Sequence, residues 1–181
     1  MYLTKITGVI GNVYHTHRVV KDLFPSDERL LYKNFNGKIH VLCVNKSESK
    51  TAFDGSFINS VREVHVPETG SEIEFRVKFN PTKNIRVVKG GSSRKIGIAD
   101  PSEAKEWLIR KMESNGVSVV GVTVEQLGIE IIEKDGKHKS TVVGHQAHGI
   151  ITVTDSDAFS NLLHSGIGGA KFAGYGLINV W

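Results

Sequence analysis

Apolar and polar residues alternate along Glu72–Phe79 (E-I-E-F-R-V-K-F), and that two-residue period predicts a strand with one buried face. Residues 3–10, 29–35 and 38–45 carry shorter strand-like runs, the last two joined across Asn36-Gly37, a hairpin signal. Between the first two runs, Val19, Val20, Leu23 and Phe24 form one apolar stripe at helical spacing, and Pro25 closes the segment Tyr14–Phe24 as a short helix. Residues 46–56 are polar and turn-rich, and a weak helical element is expected over 57–64. The first 84 residues therefore read β-α-β-β-α-β, the order of a ferredoxin-like fold.

The second half, residues 85–181, repeats the theme. Asp100-Pro101-Ser102-Glu103 combines a cap, a first-turn proline and a glutamate three residues on, so a helix opens there, burying Ala104, Trp107, Leu108 and Met112 and stopping at Gly116. Residues 117–132 and 141–154 are strand material around a charged hairpin tip at 133–140. Asp155 then caps a helix with Ala158, Phe159, Leu162 and Leu163 inward, and an apolar run ends the chain as a strand. The expected fold class is α+β: two tandem ferredoxin-like folds with antiparallel sheets.

Between that last helix and strand stands G-I-G-G-A-K-F-A-G-Y-G, with glycines at 166, 168, 169, 174 and 176 around Lys171. Glycine runs let a backbone approach another surface closely, and successive N–H groups in them can form an anion nest. A helix C-cap accounts for Gly166 alone, so the run is read as a loop that binds through its backbone. Dinucleotide and P-loop fingerprints follow a strand and open a helix. Here the order is reversed, which argues against a nucleotide cofactor.

Charge sharpens the picture at one place. From Phe75 to Ala99 the chain carries seven basic residues (Arg76, Lys78, Lys83, Arg86, Lys89, Arg94 and Lys95) and no acidic one. Against a formal net charge of +4, this +7 leaves −3 on the remainder. Such a stripe repels itself unless an anion neutralises it, and nucleic acid is the natural partner. No apolar run approaches the ~18 residues that span a bilayer, so no membrane partner is expected. The N-terminus reads as a strand rather than a signal peptide, and a single cysteine, Cys43, allows no internal disulfide; both fit a cytoplasmic protein.

Candidate chemistry lies on the first helix. At 100° per residue, Tyr14, His17 and Lys21 fall on one line, about 120° from the centre of the apolar stripe. A histidine can move protons near neutral pH, a tyrosine can orient a hydroxyl, and a lysine can steady developing negative charge. The same spacing also suits an ordinary surface histidine. His15-x-His17 and His145-x-x-His148 lack a Cys pair or carboxylate set, and His145 and His148 face opposite sides of a strand. Neither a metal nor a cofactor is expected.

Met1-Tyr2-Leu3-Thr4-Lys5, Tyr14-x-x-His17 followed by Leu23-Phe24-Pro25, the run Phe75–Lys83, and the glycine loop with Lys171 together resemble the CRISPR repeat-processing endoribonucleases, in particular the subfamily serving type I-E Cascade complexes. The resemblance spans most of the chain. It implies tandem ferredoxin-like folds that bind the hairpin of a CRISPR repeat transcript and cut at the base of its stem without a metal. The 2′-hydroxyl attacks the adjacent phosphate, leaving a 2′,3′-cyclic phosphate and a 5′-hydroxyl. His17 takes the place of the catalytic histidine and Tyr14 that of the residue placing the reacting groups. Gly166, Gly168, Gly169, Lys171 and Gly174 would face RNA or the helix beside the site, and Lys137 and Lys139 would enter the stem's groove. The crRNA product would be kept in company with other Cascade subunits.

Gly169 stands where the subfamily often has proline, the 46–64 region is compact, and a third catalytic residue is open between Ser26 and Lys21. Two other readings are a subunit that holds the hairpin without cutting it and a general RNA-binding module stacking bases on sheet-face aromatics. Tyr14 and His17 argue against the first, the few aromatics against the second.

Overall fold

The structure, a computed structural model, describes residues 1–9, 11–24, 30–35, 38–43, 50–86, 93–134 and 138–181. The elements in the first part are β1 (Tyr2–Thr7), α1 (Val13–Leu23), β2 (Leu31–Phe35), β3 (Lys38–Cys43) and β4 (Phe57–Glu63). They form one four-stranded sheet in the order β2-β3-β1-β4, antiparallel throughout. The second part comprises β5 (Glu72–Phe79), β6 (Thr82–Arg86), β7 (Ser93–Gly97), α2 (Pro101–Glu113), β8 (Val117–Lys134), β9 (His138–Val153), α3 (Ser156–Ser165) and β10 (Ile178–Val180). Its main sheet runs β10-β5-β9-β8, also antiparallel, while β6 and β7 make a separate hairpin. Numbered within each half, both orders are 4-1-3-2, so the fold is two ferredoxin-like sheets in tandem.

Each helix begins where a side chain satisfies its free N–H groups. Asn12 accepts from the N–H of His15 at 2.9 Å, Asp100 from Glu103 at 2.8 Å and Asp155 from Ala158 at 2.9 Å. The apolar stripe of α1 then buries Val19, Val20 and Leu23 against Ile6, Ile39 and Val41. Such side chains contribute roughly 1.5–3 kcal/mol each. Phe75, Val77 and Phe79, the inward set of β5, meet Leu108 and Met112 of α2 and Phe159 of α3. Leu31 and Leu42 of the first sheet pack with Leu177 in a seam between the halves.

Three expectations give way here. Residues 57–63 form strand β4 rather than a helix, because Phe57, Ile58 and Val61 have helical spacing but pair with the open edge of β1. Just before it, residues 50–56 turn back onto α1: His15 Nε2 meets Asp54 Oδ2 at 2.7 Å, and Asp22 accepts from the N–H of Phe53 at 2.9 Å. With β4 completing the first sheet, β5 pairs with β9 and β10 and opens the second one. The change of sheet thus falls between Glu63 and Glu72, ahead of the division expected at 84/85. The stretch 82–99, whose basic residues and Gly90-Gly91-Ser92-Ser93 read from the sequence as a connecting loop, contains the paired strands β6 and β7. Among the described residues no helix is long and apolar enough to cross a membrane.

Candidate functional site

Tyr14 and His17 are half-buried on the rim of α1, and Lys21, one turn further along, is exposed. The helix places them there because its stripe, Thr16, Val19, Val20 and Leu23, is turned fully inward. The His17 ring lies 6.2 Å from that of Tyr32 on β2. Tyr32 is itself buried and donates its hydroxyl to the carbonyl of Phe172 in the glycine loop. Burial pushes that phenol well above its usual range, so it remains a donor at any working pH. Val13, at the start of α1, packs with Ala170, Ala173 and the buried Tyr175. The two motifs that the sequence separates by some 150 residues therefore meet, with Tyr32 between them.

The loop is built into the body of the protein. Gly166 caps α3, its N–H bonded to Leu162 O at 2.8 Å. Gly168 has φ +80°, and a Cβ there would stand 2.8 Å from the carbonyl oxygen of Asn80. Gly169 donates to that same carbonyl at 3.0 Å, Ile167 and Gly176 bond across the loop at 3.0 Å, and Gly176 donates to Lys78 O at 2.7 Å. Gly174 follows the 3-10 turn Lys171–Ala173. Lys171 reaches back 2.6 Å to Ser165 O at the C-terminus of α3, where a cation complements the helix end. The glycines thus serve close packing against the end of β5 and against β2.

The basic stripe divides. Arg76 points to the face of β5 opposite Phe75 and Val77. Lys78 stands 4.2 Å over the Tyr175 ring and 3.6 Å from Glu130. Lys83 is held by Glu103 of α2 at 2.6 Å. Arg86, Arg94 and Lys95 lie exposed on the β6–β7 hairpin, Lys95 opposite Asn84 and Arg94 opposite Ile85. Lys139 sits 3.6 Å from Glu133 across the β8–β9 hairpin. Ser26, Lys89 and Lys137 lie outside the described residues.

Tyr32 and Asn80 join the site, and of the two only Asn80 carried a signal in the sequence. Asn80 is buried; its side-chain oxygen accepts from the N–H of Val143 at 3.3 Å while its carbonyl holds Gly169. A buried asparagine at the end of an alternating strand, just before Pro81, was the available signal. His145 and His148 do part: His145 is buried 5.6 Å from the Phe79 ring, and His148 is exposed opposite Arg76. Burial lowers the pKa of His145 and keeps it neutral. Among the described residues, no three His, Cys, Asp or Glu side chains gather as a metal site would require.

Known proteins give this arrangement a context. A family model described as CRISPR associated protein matches residues 3–181. The CRISPR system Cascade subunit CasE of Escherichia coli strain K12 is 25% identical over 199 residues, covering 99% of this chain and 98% of that protein. The crystal structure of the CRISPR-associated protein Cas6e from Escherichia coli K-12 is similar with a TM-score of 0.78 at 25% identity, covering 99% and 98% of the two chains. Thermus thermophilus Cse3, bound to an RNA representing a pre-cleavage complex, shares the fold with a TM-score of 0.78 at 21% identity, covering 99% and 98%. With a family model spanning nearly its whole length, and a fold that agrees, the chain belongs to the CRISPR associated protein family.

Proposed function

We propose that this chain is a CRISPR endoribonuclease that binds the hairpin of a repeat transcript, cuts precursor crRNA at the base of the stem, and keeps the product within a Cascade complex. One observation carries the reading: the Tyr14–His17 rim of α1 is locked, through Tyr32, against the glycine loop of the other half. Relatives support it by name, one as a Cascade subunit and another as a CRISPR endoribonuclease bound to a 19-nucleotide RNA.

In the proposed reaction the 2′-oxygen attacks the neighbouring phosphorus, the bond to the 5′-oxygen breaks, and a 2′,3′-cyclic phosphate forms. The 2′-hydroxyl loses a proton and the departing 5′-oxygen gains one. His17 serves as the proton-transfer group, a role worth roughly 10²–10⁴ in rate. Tyr14, three residues away on the same rim, places the reacting groups, and Lys21 steadies charge on the phosphate. Arg86, Arg94 and Lys95 meet phosphates of the stem, since A-form helices are read mainly by shape and backbone.

The test is to incubate the protein with its host's repeat hairpin and map the ends. Expected are one cut at the stem base, a 5′-hydroxyl and a cyclic phosphate, no effect of EDTA, and no reaction when the 2′-hydroxyl upstream of the cut is replaced by hydrogen. Tight binding without cutting would make the chain a holding subunit; cutting of the deoxy substrate would rule out the mechanism.

A further inference from the structure

The two sheets turn their helix-free faces toward each other around a cavity of about 540 Å³. Lys5, Lys33, His40 and Arg62 line it from the first sheet and Arg76 from the second, with Trp181 at its side. Among the described residues, no Asp or Glu side chain is in the lining. Strand alternation creates this: Thr4 and Ile6 point to α1 while Lys5 points away, and Phe75 and Val77 point to the second core while Arg76 points away. Burial and the crowding of cations act together on the groups that titrate here. Burial, and then the charge of Arg76, pull Lys33 down to about 8, and burial, followed by Lys33, Lys5, Lys38 and Arg62, lowers His40. An anion placed among them would relieve both.

A second cavity of about 460 Å³ adjoins the first and shares Arg76 and Trp181 with it. Trp181 is 61% exposed, yet its indole N–H is fixed by Glu74 at 2.9 Å, so the ring is oriented with a face open to solvent. Cations beside an open aromatic face suit single-stranded nucleic acid, which offers phosphates to one and an unstacked base to the other. A duplex stem keeps its bases stacked inside and has none to offer Trp181.

We propose that this cleft holds single-stranded RNA adjoining the repeat hairpin, as a second binding site separate from the α1 rim and the β6–β7 hairpin. The assignment rests on the nuclease reading above for the identity of the RNA, but its own evidence is the cleft. An acidic protein segment would find the same cations but no use for an oriented indole.

Binding of the full chain is to be compared for three RNAs: the bare hairpin, the hairpin with a single-stranded extension on either side, and the extension alone. One extension should tighten binding about tenfold over the bare hairpin, in line with one stacked base. It should also steepen the dependence of log K on log salt by roughly 0.7 per phosphate engaged. Lys33→Gln with Arg62→Gln should remove that increment and weaken the isolated extension, while the bare hairpin is bound and cut as before, which also shows that the variant folds. A photoreactive uridine in the extension should cross-link to Trp181. Equal binding of all hairpins, an increment that survives the double substitution, or cross-links only to the β6–β7 hairpin would overturn the proposal. If the bare hairpin is neither bound nor cut, the nuclease reading fails, and the isolated extension still decides whether the cleft takes single-stranded RNA.

Discussion

The glycine loop and the β6–β7 hairpin are the two stretches whose composition stands out, and they prove to be opposites. In the loop, backbone groups of Ile167, Gly169 and Gly176 bond to protein carbonyls, and Lys171 turns back to α3. On the hairpin, Arg86, Arg94 and Lys95 stand exposed. A glycine-rich, lysine-bearing run reads from sequence as a loop that faces a ligand or the neighbouring helix, and in the structure it joins the second half to α1. The difference separates rigidity from charge: the loop holds the α1 rim in place, and under the proposed function the exposed hairpin is the part that would offer phosphate contacts. Each consequence can be tested by changing one part and asking whether the other's property moves.

The largest effect should follow from His17→Ala. If chemistry and affinity are separate, cleavage falls by about 10²–10⁴. The dissociation constant of the hairpin should stay within about twofold, because phosphate contacts position the RNA independently. Single-turnover cleavage and equilibrium binding, measured on one preparation, check this. Equal losses in both would merge the two parts into one site.

Next in size is Gly168→Val. A side chain at φ +80° costs about 1–2 kcal/mol by itself. Its Cβ would also press to 2.8 Å on Asn80 O, the carbonyl that anchors Gly169. A melting temperature lower by roughly 5–15 °C is expected for a chain of this size, with cleavage reduced even where the protein remains folded. An unchanged melting temperature and full activity would reduce the loop to a tether.

These expectations rest on contacts of a kind that local pattern does not show. The alternation of Glu72–Phe79 was legible because one face of a strand repeats every two residues, and Asp100 and Asp155 were legible as caps because capping is local. Which sheet β5 joins was not, since strand pairing depends on partners such as Gly149 and Val180, far along the chain. The Tyr14–His17 line was visible from helix geometry alone. Its link to the glycine loop was hidden, because Tyr32 bonds to Phe172, 140 positions on. The basic stripe was legible as a count of charges but not as free charges, because Glu103 and Glu130 approach Lys83 and Lys78 from other elements.

A smaller effect should come from Arg86→Ala combined with Arg94→Ala. Each exposed guanidinium that meets a stem phosphate contributes about 0.9 to the slope of log K against log salt. The pair should flatten the slope by nearly two units while the melting temperature stays within about 1 °C, since surface substitutions of this kind are usually within ±0.5 kcal/mol. An unchanged slope would move the stem elsewhere on the surface.

The smallest effect separates a charge that is present from one that is available. Lys83 belongs to the same stripe as Arg86, but its ammonium lies 2.6 Å from Glu103, with side chains 45% and 43% exposed. A pair so exposed is worth only about 0.2–1 kcal/mol, enough to make a phosphate compete for the ammonium without excluding it. Lys83→Ala alone should therefore change the salt slope by much less than Arg86→Ala. Glu103→Gln should release the lysine and steepen the slope by a fraction of the ~0.9 a full contact gives. It costs α2 only a few tenths of a kcal/mol, from a first-turn carboxylate next to the Asp100 cap. Adding Lys83→Ala to Glu103→Gln should then cancel the gain, a non-additivity that a double-mutant cycle reads directly. If Lys83→Ala by itself flattens the slope as much as Arg86→Ala does, the pairing with Glu103 does not govern the lysine, and the stripe acts as the plain sum of its charges.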